Sequence, residues 1–167
     1  MKIGVISDTH IHSEAELDTL KQIFQEYFSD VDLLLHAGDL VDLSVYSWLN
    51  QQVDTVAVRG NMDHPDVIKI LPDLKVIKAG DFRIGLVHGQ GSPNGLVERI
   101  RAKFAAQGEE GKVDCIVHGH THWAVNKIID DTLFFNPGSP TDTRFAPYNS
   151  VGFLEVGKKI EGTIRRM

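Results

Sequence analysis

Five short apolar runs in this chain each lead into a small polar cluster, and that pairing restricts the fold more than any other feature. Ile3 to Ile6, Leu33 to Leu35, Val56 to Val58, Ile84 to Val87 and Cys115 to Val117 have the length and apolar character of buried strands. At or just beyond their ends come Asp8-Thr-His10, Gly38-Asp39, Gly60-Asn61, His88-Gly89 and Gly119-His-Thr-His122. Each cluster therefore belongs at a strand's C-terminal end. In open α/β sheets the crevice outside those ends collects ligands, because loops converge there while the sheet holds their roots rigid.

The remaining pattern fits alternating elements. The spacing predicts strand 2–7, then a helix over 14–28 with Leu17, Leu20, Ile23, Phe24, Tyr27 and Phe28 on one face. Ser13 is its expected N-cap, with Glu16 completing a capping box. Strand 32–36, a short helix over 43–52 and strand 54–58 follow, an order that implies parallel pairing through right-handed crossovers. Segments 74–79 and 82–87 alternate around Ala79-Gly80-Asp81 as a hairpin would, and a helix over 94–106 leads into strand 113–117. Beyond the histidine cluster, 123–129, 132–135, 150–156 and 159–165 read as successive antiparallel strands between Asp-Asp, Pro-Gly-Ser and Gly-Lys-Lys turns. Two facing sheets are expected rather than one. The longest irregular stretch, 136–149, carries Pro137, Gly138, Pro140 and Pro147 and is expected to border the site. Phe82, Phe104, Phe134, Phe135 and Phe153 fall at packing positions.

A chain of 167 residues with 42% hydrophobic content can bury one sizeable core, so residues 1–167 are read as a single domain. The formal net charge of -6 disfavours non-specific attraction to phosphate backbones, and general nucleic-acid binding is not expected. No apolar stretch approaches membrane-spanning length and the N-terminus has no signal pattern, which leads to an expected cytoplasmic location. Cys115 is the single cysteine, which excludes an internal disulfide and a thiolate cluster within this chain; its Val113 to Val117 setting suits a core thiol.

Donors drawn from carboxylate, imidazole and amide, without thiolate, suit divalent Mn, Fe, Co, Ni or Zn better than Cu(I) or an iron–sulfur cluster, and disfavour an all-oxygen calcium site. Asp8 and His10 stand two apart, a spacing that on a strand points both side chains the same way, and His120 and His122 repeat it. Asp8, His10, Asp39, Asn61, His88, His120 and His122 exceed the roughly four protein groups that one ion needs while keeping a water. Two ions sharing a carboxylate account for the set better, with Asp39 as the natural bridge. Without a cation, so many polar groups at buried strand ends would be costly. By contrast His36 and His118, inside apolar runs, read as structural or supporting groups, and His12 as a loop-surface residue.

In content, order and spacing, Asp8-x-His10, Gly38-Asp39, Gly60-Asn61-x-Asp63, His88-Gly89 and Gly119-His120-Thr121-His122 resemble the calcineurin-like metallophosphoesterases over nearly the whole chain. The small size and the Asn136-Pro-Gly-Ser139 segment with Arg144 are most similar to the compact YfcE-type phosphodiesterases. The resemblance implies an α/β fold built as a four-layer αββα sandwich, two mixed sheets flanked by helices. It also implies a binuclear site: Asp8, His10, Asp39 and His122 around one ion, Asp39, Asn61, His88 and His120 around the other. Mn is the first expectation, with Ni, Co, Fe or Zn as alternatives. The implied chemistry is hydrolysis of a small phosphodiester, with ions about 3.5–4 Å apart lowering the pKa of a bridging water whose hydroxide attacks in line with the leaving group.

One departure from the family pattern bears on substrate class. Many members carry His directly after the Gly-Asn pair, whereas this chain has Met62, whose thioether cannot donate a proton. The resemblance to the YfcE type, which also lacks that His, points to diesters over monoesters. Asp63 fits the motif's acid without its usual partner, His64 is a candidate replacement donor, and Arg144 is a candidate phosphoryl clamp. The alternatives are a non-catalytic protein-binding scaffold resembling a retromer-coat subunit of this fold, a phosphomonoesterase and a nuclease. Homo-oligomerisation as dimer or tetramer is left open, with Tyr46-x-Trp48-Leu49 or Trp123 as apolar contacts.

Overall fold

A computed structural model describes residues 1–167. Ten strands and four α-helices follow in the order β1 (Lys2–Ile6), α1 (Glu14–Tyr27), β2 (Leu33–His36), α2 (Leu43–Gln52), β3 (Thr55–Ala57), α3 (Pro65–Ile70), β4 (Leu74–Ala79), β5 (Phe82–Val87), α4 (Leu96–Ala105), β6 (Cys115–Val117), β7 (Val125–Ile129), β8 (Thr132–Asn136), β9 (Ser150–Val156) and β10 (Ile160–Arg166). They form two five-stranded sheets, ordered β10-β9-β1-β2-β3 and β4-β5-β6-β8-β7. No helix is long and apolar enough to cross a membrane.

Side-chain alternation sorts the apolar residues into three layers of packing. Ile3 and Val5 of β1, Ile84 and Leu86 of β5, Cys115 and Val117 of β6, and Leu133 and Phe135 of β8 face the opposite sheet and make one core. Their neighbours in register point outward instead: Ile116 and Phe134 pack with Leu96, Ile100 and Phe104 of α4. On the far side Ile6 and Leu34 pack with Leu20, Ile23 and Phe24 of α1 and Leu49 of α2. The result is the expected helix, sheet, sheet, helix sandwich. Phe135 is fully buried with its ring against Gly152 and Gly162 of the other sheet, so Phe135→Ala would open the centre of the sandwich at about 3–5 kcal/mol.

Local signals operate much as the sequence suggests, with adjustments. Ser13 Oγ accepts the Glu16 amide at 3.3 Å, but Glu16 Oε2 takes the N–H of His12 at 2.6 Å, one residue earlier than in a standard capping box. Asp130 and Asp131 both have positive φ, 44° and 64°, as the tight turn between β7 and β8 requires.

One expectation about the strands needs correction. The four strands after the histidine cluster are not one antiparallel succession. They are two hairpins, β7–β8 in the second sheet and β9–β10 in the first, and β8 lies parallel to β6 while β9 is antiparallel to β1. The 137–149 segment makes this division, carrying the chain from one sheet to the other. Helix α3 was also unanticipated: six residues are too few for a 3.6-residue period to register, although Pro65 in its first turn is a start signal.

Candidate metal centre

The parallel strands bring the polar clusters to one end of the sandwich. β1, β2 and β3 run parallel in the first sheet and β5 and β6 in the second, so Asp8, His10, Asp39, Asn61, His88, His120 and His122 leave their strands in the same direction. Backbone bonds lock the loops together: Asp8 N–H donates to Gly38 O and His10 N–H to Asp39 O, each at 3.0 Å, and Gly119 N–H donates to His88 O at 3.1 Å. The His120 N–H donates to the Asp8 carboxylate, 3.0 Å from Oδ2. Asp8, Asp39 and His88 form a buried floor, His10, His120 and His122 are half-buried walls, and Asn61 is exposed at the rim.

The side chains of each two-apart pair do not come together through strand alternation, because Asp8 and His10 lie beyond β1 and His120 and His122 beyond β6. The backbone there is left-handed instead: Asp8 has φ 54°, His10 45°, Asp39 57°, His120 69° and His122 59°. Non-glycine residues in this region cost on the order of 1–3 kcal/mol each and persist where the surroundings over-determine them. Part of that determination is space left by two glycines. A Cβ at Gly60 would collide with the Asp39 carboxylate, and one at Gly119 with Ser7 Oγ and Asp8 Oδ2.

Hydrogen-bond bookkeeping fixes which nitrogens face inward. His88 Nδ1 lies 2.8 Å from the Ala37 carbonyl, which can only accept, so Nδ1 carries a proton and Nε2 is the nitrogen turned into the cradle. Nε2 stands 3.1 Å from Asn61 Oδ1 and 3.3 Å from Asp39 Oδ2, oxygens that only accept, so this point calls for positive charge, either a proton on Nε2 or a cation in its place. His122 repeats the logic, giving its Nδ1 proton to Asp142 Oδ2 at 2.5 Å and turning Nε2 toward Asp8 Oδ1 at 3.5 Å and His10 Nε2 at 3.2 Å. His120 donates Nε2–H to the Gly91 carbonyl at 2.8 Å, and its ring stands edge-on to His88 with centroids 5.1 Å apart. Such a cradle of imidazole nitrogens and carboxylate and amide oxygens fits a divalent cation of the nitrogen- and oxygen-binding kind.

Two donor groups are compact enough to hold an ion, Asp8 with His10 and His122, and Asp8 with Asp39 and His88; the donor atoms in each lie within 4.8 Å of one another. Asp8 belongs to both groups. Asp39 also adjoins both, since its Oδ2 lies 3.3 Å from His88 Nε2 and 3.8 Å from His10 Nε2. The electrostatics agree with a site built for positive charge. Burial pushes the Asp8 carboxyl up to about 6. Burial also works against charge on His88, yet its bond to Asp39 and the Asp8 and Asp39 charges outweigh that and hold it above the usual imidazole range. Conversely, burial raises Asp39, but the bond and charge of His88 outweigh it and leave the carboxyl below the usual range.

The other sequence candidates divide. Arg144 lines the cleft of about 960 Å³ that opens over these residues, with its guanidinium above the Phe145 ring at 5.1 Å. Met62 lines it too. Asp63 does not: its buried carboxylate accepts the Val41 amide at 2.6 Å and the Gly60 amide at 2.7 Å, a brace for the loop that carries Asn61. His64 stands at the N-terminal boundary of α3 without a side-chain capping bond and is also not brought to the cleft wall. Asn136 donates to Gly119 O at 3.0 Å and Thr121 Oγ1 at 3.1 Å, so it pins the histidine loop rather than facing the cleft.

His36 and His118 are buried as structural groups. His36 Nδ1 accepts the Gly38 N–H at 3.2 Å, leaving Nε2–H for Thr9 Oγ1 at 3.1 Å, and burial lowers its pKa to about 3. Sequence reasoning missed Asp142. Burial raises its carboxyl, but the His122 bond and the amides of Arg144, Ala146 and Phe145 hold it at about 2. The 136–149 segment also clasps the first loop, through Ser139 Oγ to Asp8 O at 2.7 Å and Thr141 Oγ1 to Thr9 O at 2.8 Å. Its bordering position was legible; the acid that orients His122 was not.

Comparison with known proteins adds independent support. Residues 1–159 match the model of the calcineurin-like phosphoesterase superfamily domain. A probable metallophosphoesterase of Methanocaldococcus jannaschii is 39% identical over 165 residues, 98% of this chain and 80% of the relative. Among solved structures, an archaeal phosphodiesterase superposes with TM-score 0.74 at 26% identity, covering both chains in full. A Vps29 variant from Entamoeba histolytica shares the fold with TM-score 0.74 at 23% identity, covering 100% of this chain and 99% of its own. A sandwich whose strand ends assemble this donor cradle, matched over nearly all its length by one family model, belongs to the calcineurin-like phosphoesterase superfamily.

Proposed function

We propose that this protein is a metal-dependent phosphodiesterase acting on small phosphodiesters. The observation that carries the reading is the convergence of His88 Nε2, Asn61 Oδ1 and Asp39 Oδ2 on one point that calls for positive charge, beside the second group of Asp8, His10 and His122. Asp8, His10, Asp39 and His122 are assigned to one ion and Asp39, Asn61, His88 and His120 to the other, with Mn as the first expectation. When bound, two divalent cations supply an acidified water and neutralise charge on the phosphoryl oxygens.

The chain's own groups do the rest. Asp142 and the Ala37 and Gly91 carbonyls anchor the three histidine rings in fixed orientations. The Arg144 guanidinium makes no protein hydrogen bond or ion pair and rests on Phe145 at the cleft edge, which suits bidentate capture of a phosphoryl group. Met62 offers no proton to a leaving group, which favours diesters with good leaving groups.

The test is metal-dependent hydrolysis of bis-p-nitrophenyl phosphate with Mn, Ni, Co, Fe or Zn, alongside ion counting by anomalous scattering. Two ions and turnover that Asp39→Asn abolishes are expected. A single ion would overturn the binuclear assignment. Absence of turnover with every metal would favour the binding-scaffold reading, which the fold shared with Vps29 keeps in view.

A further inference from the structure

Three of the eight large hydrophobic side chains that stand exposed, Met62 at 52%, Trp123 at 59% and Phe145 at 62%, line the same cleft as the donor cradle. They reach it from separate segments, the loop after β3, the loop after β6 and the 136–149 crossing. Exposed apolar residues scattered singly need no explanation, whereas a cluster at a cleft marks a binding surface.

Trp123 is more than exposed; it is fixed. Its indole N–H donates to the Phe145 carbonyl at 3.1 Å, which satisfies the polar edge and leaves the ring as cleft wall. Phe145 is held in turn by its amide to Asp142 and by an edge-on contact with His122, ring centroids 6.0 Å apart at 79°. One Phe145 face is occupied by Arg144. The indole is therefore the free platform, pre-ordered so that stacking on it costs little rotamer entropy. Immediately beside it stands His122, so a group stacked on Trp123 would be joined to a phosphorus at the cradle by a short linkage.

We infer that Trp123 is a specificity-determining residue that stacks a flat aromatic ring carried on the non-leaving ester group of the substrate, with Met62 adding polarizable apolar surface in the same cleft. This rests on the phosphodiesterase reading and narrows it, from small diesters in general to those bearing a nucleobase or an aryl group.

Three probes share p-nitrophenolate as leaving group and differ only in the other ester group: thymidine 5′-yl, phenyl and ethyl p-nitrophenyl phosphate. With Mn bound, kcat/KM for the ring-bearing probes should exceed that for the ethyl probe by about 5- to 100-fold, mainly through KM. Trp123→Ala should collapse that ratio toward one and Trp123→Phe should keep most of it. A thymidine preference over phenyl assigns the subsite to nucleobases, and equality of the two assigns it to aromatic rings in general. Equal kcat/KM for all three probes, or a ratio untouched by Trp123→Ala, would overturn the stacking subsite while leaving hydrolysis intact. No turnover of any probe would overturn the phosphodiesterase reading and this inference with it.

Discussion

Asp142 accepts the Nδ1 proton of His122 at 2.5 Å while three amides of its own loop, those of Arg144, Phe145 and Ala146, donate to the same carboxylate. One acid thus sets the tautomer of a candidate ligand and the shape of the loop that lines the cleft. Asp142→Asn preserves an acceptor but removes the charge that makes the far nitrogen of His122 a better donor. On the proposed ligand set, affinity for one of the two ions should fall about 10- to 100-fold with the other little changed. Calorimetric titration with Mn checks this, and unchanged binding at both sites would separate Asp142 from the metal centre.

Gly60 sits directly against Asp39, whose Oδ1 also accepts the Met62 amide at 2.8 Å. Gly60→Ala must displace either that carboxylate or the backbone beneath it. Overpacking of this kind costs typically about 1–3 kcal/mol, and here it also moves the proposed bridge. The variant should melt at lower temperature and lose ion binding together. Full ion binding in a destabilised variant would mean the loop can yield without moving Asp39.

The fold was legible where alternation and length are strong. Cys115, Ile116 and Val117 announce a buried strand between layers, and the seven donors were named because each follows such a run. What escaped depends on non-local or left-handed backbone. Asp and His residues carry little sign of the positive φ that Asp8, His10, His120 and His122 adopt, so the sequence suggests strand alternation where the structure uses left-handed loops. Asp142 lies 20 residues beyond His122 in an irregular segment, where a lone acid says nothing until the chain crossing places it. Asp63 and His64 were read from motif position alone. Orientation decides their part, and Asp63 spends both oxygens on backbone amides.

Asp8 has a calculable cost in the ion-free protein, because burial lifts its carboxyl from 3.8 to about 6. Between those values the folded chain keeps a proton that the unfolded chain has released. Stability linked to this group is therefore full below pH 3.8 and lost as pH rises through about 6, at most about 3 kcal/mol. Ion-free Asp8→Asn should melt above ion-free wild type at pH 7, and the gap should close near pH 4. Adding Mn should reverse the order at pH 7, since binding stabilises only the chain that retains the ligand. A gap that persists at pH 4 would assign it to packing instead of charge burial.

Met62 joins the donor cradle to the cleft, since its amide is tied to Asp39 while its half-exposed side chain lines the cleft. The backbone bond is independent of the side chain, so Met62→His should leave the Asp39 arrangement in place. An imidazole there can protonate a departing alkoxide, a contribution of about 10²–10⁴-fold when correctly placed. Leaving groups that depart unaided need no such help. The variant should gain most on dialkyl or alkyl monoester phosphates and little on p-nitrophenyl esters, and the alkyl rate should acquire a falling limb above the imidazole pKa. Equal gains on both substrate types, or an alkyl rate without that pH limb, would mean that Met62 limits access to the cleft and not proton transfer.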